Sequence, residues 1–97
     1  MPEPLTTEER SKLVTDHPAW EIEKDAMSRT FTFADFSEAI GFVTRVAIAA
    51  EVLDHHPDID IRWNKVTLTL STHSAGTLTG LDVELARQTE GFADDGP

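Results

Sequence analysis

The sequence contains no cysteine and few basic residues, and both shortages exclude classes of function. Without cysteine the chain has neither a disulfide bond nor a thiolate nucleophile, so redox chemistry says nothing about its compartment. The 8 lysines and arginines stand against 18 acidic residues, for a formal net charge of −10. Because such a surface repels phosphate backbones and anionic lipid, we expect no direct binding of nucleic acid through a basic patch.

Long apolar runs are also missing, since Arg45 and Glu51 interrupt the longest apolar stretch. We therefore expect no membrane-spanning segment and no signal peptide, which makes the cytoplasm the default location. The 97 residues predict one domain over residues 1–97, with mobile ends at 1–5 and 92–97. A core of this size gains from association, so we expect a homodimer or homotetramer.

The middle of the chain predicts a long amphipathic helix. Apolar residues recur at spacings of three and four between residues 36 and 53. Asp35 and Glu38 resemble a capping box at its start. Pro57 lacks an N–H and pushes the residue before it toward an extended conformation, so we expect the helix to end near Asp54.

The end of this helix carries two adjacent histidines. Glu51 and His55 are four residues apart and are predicted to share a face of the last turn. His56 precedes Pro57 and should already lie outside the helix. At a helix C-terminus with Glu51 one turn back, His55 is expected to favour the imidazolium form, which can act as an acid.

A β-hairpin is predicted to follow. Apolar and polar residues alternate from 58 to 63 and from 66 to 73, around Asn64 and Lys65. A turn centred on these two residues would place Trp63 opposite Val66, which favours core packing for the indole. The same register would place His56 opposite His73, with Cβ atoms roughly 5 Å apart.

The remaining segments complete the predicted fold. A first helix should run from a cap at Thr6 to about residue 16, and a first hairpin should span residues 20–33. Thr79 should cap a last helix that reaches about residue 90, with Gly91 as its stop. The order α-β-β-α-β-β-α predicts an α+β fold, in which three helices cover one face of a four-stranded antiparallel sheet.

Two other interpretations of the histidines need consideration. A His-His-Pro sequence alone usually marks a helix stop with solvated rings, and His17 before Pro18 is expected to be such a surface residue. Metal binding is the second, because histidine and glutamate are ligand types. Adjacent histidines rarely point at one ion, however, and no HExxH or cysteine-containing spacing is present, so we expect no metal.

The spacing of these residues resembles the signature of the pterin-4a-carbinolamine dehydratases. The matching positions are Glu51, three residues, His55-His56-Pro57, five residues, Trp63, nine residues, His73, eight residues and Asp82. Further stretches resemble the same family in order and spacing, namely Leu5 to Arg10, Phe33 to Phe36, Gly41 to Ala47, Asn64 to Val66, Ser71 to His73 and Asp82 to Ala86.

The resemblance implies a dehydratase without a cofactor, which converts 4a-hydroxytetrahydropterin to quinonoid dihydropterin and water. This reaction recycles the tetrahydropterin of aromatic amino acid hydroxylases, which implies a functional link to such an enzyme. His55 and His73 are the implied acid/base pair, because both forms of imidazole are accessible near neutral pH. His56 would mainly position the pterin, and Glu51 would orient His55.

The remaining roles follow from the same resemblance. Thr72, Ser74 and the backbone beside Pro57 would meet the polar edge of the ring. Asp82 would cap the last helix, orient a histidine, or both. Some family members resemble dimerisation cofactors of a transcription factor or, without the catalytic histidines, assembly factors. A non-catalytic cofactor of the same fold is therefore the alternative.

Overall fold

The computed structural model describes residues 2–94 and contains three helices and a four-stranded antiparallel sheet. The helices are α1 (Thr7–Asp16), α2 (Phe36–Leu53) and α3 (Gly80–Asp94), and the strands are β1 (Glu21–Ile22), β2 (Met27–Thr32), β3 (Asp58–Arg62) and β4 (Lys65–Leu70). The predicted order α-β-β-α-β-β-α is confirmed. The strands lie in the order β1-β2-β4-β3, so β1 and β3 form the edges of the sheet.

One face of the sheet carries the hydrophobic core. In β4, Val66, Leu68 and Leu70 are fully buried, while the alternating threonines are only partly buried. The buried residues of the helices pack onto the same face; they include Leu13, Ala39, Phe42, Val46, Leu85 and Ala86. The opposite face is polar, and the Thr30 and Thr67 hydroxyls hydrogen-bond across it at 2.8 Å. No helix in the described range is long and apolar enough to cross a membrane.

The helix starts follow the sequence closely. Thr6 and Glu9 form a reciprocal capping box, and the Asp35 carboxylate accepts a hydrogen bond from the Glu38 N–H. The predicted stop at Gly91 is wrong, because α3 continues to Asp94. Gly91 does not adopt the left-handed conformation that ends helices, and Phe92 packs against the core.

The two ends of the chain are only partly described. Within the amino-terminal end expected to be mobile, the Leu5 N–H donates to the Leu78 carbonyl at 3.0 Å, and Pro4 forms a β-bridge with Thr79. At the other end, Phe92 and Ala93 belong to α3 and pack on the core. The remainder of both expected mobile ends, Met1 and residues 95–97, lies outside the described residues.

The second hairpin forms with a different turn from the one predicted. Arg62 pairs with Lys65 and Ile61 with Val66, so the two turn residues are Trp63 and Asn64. Trp63 has φ 51° and is 65% exposed, which makes the prediction of a core tryptophan wrong. Asn64 fixes this turn through two long-range bonds to Phe33, since its carbonyl accepts from the Phe33 N–H and its amide donates to the Phe33 carbonyl.

His17 is not the solvated residue that was expected. It caps the C-terminus of α1 and contacts α3, where its Nδ1 lies 2.9 Å from Oε1 of Glu90. The other oxygen of Glu90 accepts a hydrogen bond from Nε1 of the buried Trp20. His17 therefore helps to join α1 to α3, a contact that its position before Pro18 did not predict.

Candidate functional site

A cavity of about 580 Å³ lies where α2 ends and the segment after β4 turns back toward α3. Its walls come from residues 53–58 at the end of α2, residues 71–74 after β4, Leu81 of α3 and the amino-terminal Pro2. The lining residues are Pro2, Leu53, Asp54, His55, His56, Pro57, Asp58, Ser71, Thr72, His73, Ser74 and Leu81. All three histidines of the predicted site therefore share one cavity.

The end of α2 explains how two adjacent histidines can have different surroundings. Asp54 adopts the left-handed conformation with φ 50°, and its N–H reaches the Glu51 carbonyl while the His55 N–H reaches that of Ala50. This is the Schellman pattern of a helix C-terminus. Because the helix ends before His55, the spacing of four no longer places His55 beside Glu51. The predicted pairing of these two residues is therefore wrong.

His55 pairs instead with Asp82, in the first turn of α3. Its Nε2 lies 2.6 Å from Oδ1 of Asp82, and the two residues are 8% and 0% exposed. A carboxylate can only accept hydrogen bonds, so Nε2 of His55 carries the proton in this pair. Within the described residues Nδ1 of His55 has no protein partner, which leaves it as the nitrogen available to a ligand in the cavity.

Asp82 is itself held by the start of α3. Its Oδ2 accepts hydrogen bonds from the Thr79 N–H at 2.9 Å and from the Thr72 hydroxyl at 2.7 Å. The Thr79 hydroxyl accepts from the Leu81 N–H, so Thr79 caps α3, while Asp82 accepts from the Thr79 N–H in return. The Asp82 carboxylate thus contacts both the start of α3 and His55, the two partners that the sequence suggested for it.

The direction of the threonine hydrogen bonds follows from their single protons. Thr72 gives its hydroxyl proton to Asp82, so the 2.7 Å contact between Thr72 and Thr79 must be a bond donated by Thr79. The chain of donors runs from Thr79 through Thr72 to the carboxylate. Thr72 is only 3% exposed, and its hydroxyl is engaged within the protein rather than presented to the cavity.

His56 has a more open environment. Its Nε2 lies 2.5 Å from Oε2 of Glu51, and both side chains are exposed. Solvent weakens such a pair, so its contribution to stability is small. The pair nevertheless fixes one ring nitrogen of His56 toward α2. The prediction that Glu51 orients His55 is therefore wrong, because Glu51 contacts His56.

His73 comes from a tight turn that follows β4. The Ala75 and Gly76 N–H groups both donate to the Thr72 carbonyl, and Gly76 has the positive φ of 69° that such a turn requires. Thr72 and Thr77 form a β-bridge at the base of this turn. Because β4 ends at Leu70, the predicted strand pairing of His56 with His73 does not form, although both residues line the cavity.

Three side chains contribute to the site in ways that were not foreseen. Leu53 and Leu81 supply apolar lining to the cavity, and the sequence indicated them only as helix residues. Thr79 was expected to cap α3 but also completes the hydrogen bonding of Asp82 through Thr72. The capping pattern Thr79-x-x-Asp82 was the signal that could have placed these side chains together. Within residues 2–94, no group of three or more histidine, aspartate or glutamate side chains is arranged to hold a metal ion.

Comparisons with known proteins find similar sequences over nearly the whole chain. The family model described as pterin 4 alpha carbinolamine dehydratase matches residues 3–92. A relative from Nocardia farcinica, provisionally named pterin-4-alpha-carbinolamine dehydratase, is 53% identical over 92% of this chain and 94% of its own length. A relative from Rhizorhabdus wittichii with the same provisional name is 48% identical over 95% of this chain and 97% of its own.

Solved structures show the same fold. A crystal structure from Brucella melitensis, described as a transcriptional coactivator/pterin dehydratase, superimposes with a TM-score of 0.89 at 38% identity, covering 94% of this chain and 99% of that one. A pterin dehydratase-like protein described as a RuBisCO assembly factor matches with a TM-score of 0.65 at 19% identity, over 76% of this chain and 86% of its own, which shows the fold alone. By the extent of its match to the family model and to these relatives, the chain belongs to the pterin-4-alpha-carbinolamine dehydratase family.

Proposed function

We propose that this protein dehydrates 4a-hydroxytetrahydropterin, the pterin-4a-carbinolamine, to quinonoid dihydropterin and water. The observation that carries the proposal is the pairing of His55 with the buried Asp82 at the wall of a cavity that two further histidines share. The family membership supports the same reaction. Its physiological setting would be the recycling of tetrahydropterin for aromatic amino acid hydroxylases.

The chemistry needs two groups that exchange protons. The 4a-hydroxyl leaves as water only after it receives a proton, and the neighbouring ring nitrogen loses a proton as the double bond forms. Imidazole can perform either step near neutral pH, because its protonated and neutral forms are both accessible. The net reaction releases one water and consumes no other reagent, so no metal or cofactor is required by its balance.

We assign the acid/base roles to His55 and His73. Asp82 fixes the proton of His55 on Nε2, so Nδ1 can accept a proton from the pterin or, when protonated, donate one. An anionic partner behind the ring also stabilises the imidazolium that forms during transfer. His73 lies on the turn after β4 and supplies the second imidazole of the cavity.

The supporting roles differ from those that the sequence indicated. His56, held by Glu51 at the open side of the cavity, would position the pterin ring. Ser74 and the backbone beside Pro57 line the cavity and are available to the polar edge of the ring. Thr72 supports Asp82 rather than the substrate, because its hydroxyl is already committed.

The decisive experiment is stopped-flow absorbance of 4a-hydroxytetrahydropterin decay. The substrate is generated in the presence and absence of the protein, and the rate of dihydropterin formation is followed. A rate proportional to protein concentration supports the proposal. A decay rate equal to the uncatalysed one at micromolar protein would reject it.

The alternative is a non-catalytic binding cofactor of the same fold. This alternative is supported by the description of the Brucella melitensis relative as a transcriptional coactivator as well as a pterin dehydratase. The three histidines around one cavity, with Asp82 bonded to His55 behind its wall, favour catalysis for this chain. Activity in the stopped-flow assay would exclude a purely non-catalytic role.

We also propose a homodimer or homotetramer located in the cytoplasm. The edge strand β3 offers backbone groups for pairing, and α2 exposes Ile48 and Val52 on its outer face. Association would bury this apolar surface, and a closed symmetric assembly would remove the free edge.

A further inference from the structure

Arg10 has no part in the proposed chemistry, yet its side chain reaches the segment that carries His73. Nη2 of Arg10 donates to the Lys24 carbonyl at 2.5 Å and to the Thr77 hydroxyl at 3.0 Å, while Nη1 donates to the Glu23 carbonyl at 3.3 Å. Arg10 lies on α1, far from Thr77 along the chain. Its guanidinium therefore joins three separate segments. They are α1, the β1–β2 turn (residues 23–26) and the end of the His73 turn (residues 72–77).

The His73 turn is attached to the β1–β2 turn on both sides. Before His73, the Ser71 hydroxyl donates to the Asp25 carbonyl at 2.6 Å. After it, the Thr77 hydroxyl donates to the Lys24 carbonyl at 3.2 Å. The Thr72 N–H closes the base of the turn on the Thr77 carbonyl at 3.0 Å. The two ends of the turn are thus fixed to neighbouring carbonyls of one hairpin.

Arginine suits this position because the β1–β2 turn presents two consecutive carbonyl oxygens, those of Glu23 and Lys24, to one side chain. A guanidinium offers five N–H donors in a planar fork, whereas a lysine ammonium acts as a point charge. Arg10 satisfies two of these carbonyls and holds the Thr77 hydroxyl next to one of them. Without it the Thr77 end of the turn loses a charged donor and can move relative to the hairpin.

We propose that Arg10 is a positioning residue for His73, acting through Thr77 and the β1–β2 turn. The proposal rests on the proposed function of the cavity, because His73 is the group it positions. A small displacement of an acid/base group costs up to about 100-fold in rate. Arg10 thus links α1, which contributes no side chain to the cavity wall, to the chemistry inside it.

The kinetic test uses R10M and T77V, which remove the link from either side, and T77S, which keeps the hydroxyl. R87M is the matched control, because Arg87 is an exposed arginine that bonds to Glu84 within α3. We expect kcat to fall about 10- to 100-fold in R10M and T77V with a smaller change in KM. T77S and R87M should retain wild-type kcat.

A double-mutant cycle separates positioning from general destabilisation. If Arg10 acts through His73, R10M should cost nothing further in an H73A background. Equal losses from R10M in the wild-type and H73A backgrounds would overturn the proposal. So would wild-type kcat in both R10M and T77V.

Amide hydrogen exchange tests the tether without relying on activity. The Ala75 and Gly76 N–H groups close the His73 turn, and we expect them to exchange about 10-fold faster or more in R10M and T77V than in wild type and R87M. Unchanged exchange rates in both variants would show that the contact between Arg10 and Thr77 does not fix the His73 turn. If the wild-type protein fails to dehydrate the pterin, the proposed function fails, and the exchange measurement still decides whether Arg10 fixes the turn.

Discussion

Replacing Asp82 with asparagine should disable His55 while leaving its surroundings nearly unchanged in shape. The Oδ2 position of Asp82 faces two donors, the Thr79 N–H and the Thr72 hydroxyl, so the amide oxygen of an asparagine must occupy it. The amide NH₂ would then face Nε2 of His55, 2.6 Å from the present carboxylate oxygen. A donor there requires an unprotonated Nε2, which moves the imidazole proton to Nδ1.

The consequence is a histidine of the wrong tautomer with no anion behind it. Nδ1 would face the cavity with a proton and could no longer accept one from the pterin. The imidazolium form would also lose its carboxylate partner. Losing an acid/base group costs about 10² to 10⁴ in rate, which corresponds to roughly 2.7 to 5.4 kcal/mol of activation free energy. We expect kcat of D82N to fall within this range.

Stability should change much less than activity. In D82N the Thr79 N–H and the Thr72 hydroxyl keep an acceptor, but that acceptor is no longer charged. A hydrogen bond to a charged group contributes about 1.5 to 3 kcal/mol, so part of this contribution is lost. We expect a decrease in the free energy of unfolding of about 1 to 3 kcal/mol, measured by urea denaturation. D60N is the matched control, because Asp60 pairs with the exposed Arg62 on the polar face of the sheet.

The assays are stopped-flow dehydration for kcat and nitrogen-15 NMR of the imidazoles for the tautomer. The expected result is a folded D82N protein with a large loss of kcat and an Nδ1-protonated His55. Wild-type kcat in folded D82N, while H55A is inactive, would refute the orienting role of Asp82. A wild-type tautomer in D82N would refute the argument from the direction of the hydrogen bonds.

Four further predictions follow from the same cavity and from the exposed surfaces. H55A and H73A should each reduce kcat by about 10² to 10⁴ in the stopped-flow assay, and unchanged turnover in both would reject the acid/base assignment. H56A should raise KM more than it lowers kcat, because His56 binds substrate and transition state alike; the opposite pattern would exchange its role with that of a neighbour. Exhaustive chelation should leave activity intact, and a metal near one equivalent per chain that is lost together with activity would contradict this. Light scattering at micromolar concentration should give twice the 10.7 kDa chain mass or a multiple of it, since β3 has a free edge and α2 exposes Ile48; a fully active monomer would contradict it.

The order of helices and strands was predictable because each element has a recognisable pattern in its own stretch of sequence. The three helices show apolar periodicity and side-chain caps at Thr6, Asp35 and Thr79, and the strands alternate. The register of the second hairpin was not predictable in the same way. Its turn uses Trp63 in a left-handed conformation that bulky residues rarely adopt, and Asn64 holds the turn through the backbone of Phe33. That partner is distant in sequence, so local turn preferences could not identify it.

The proximity of the three histidines could be predicted, whereas their hydrogen-bond partners could not. The three histidines and Asp82 were singled out from spacing and from resemblance; the structure places the histidines around one cavity, with the buried Asp82 behind His55. Pairing His55 with Glu51 assumed that α2 continues through His55. The left-handed Asp54 instead ends α2 at Leu53. Aspartate tolerates this conformation, but its presence in the sequence does not predict it. With α2 ending there, His55 contacts Asp82, and Glu51 contacts His56 instead.

The start of α3 and the proposed chemistry depend on the same atoms. Oδ2 of Asp82 satisfies the Thr79 N–H, one of the donors that any helix start leaves unpaired, and Oδ1 orients His55. His55 in turn sits just after the end of α2, so this bond connects the C-terminus of one helix to the N-terminus of another. The positive end of the α3 dipole favours a carboxylate at that point. The anion behind His55 is therefore stabilised by the fold itself, and α2 and α3 must dock correctly before His55 acquires its orientation.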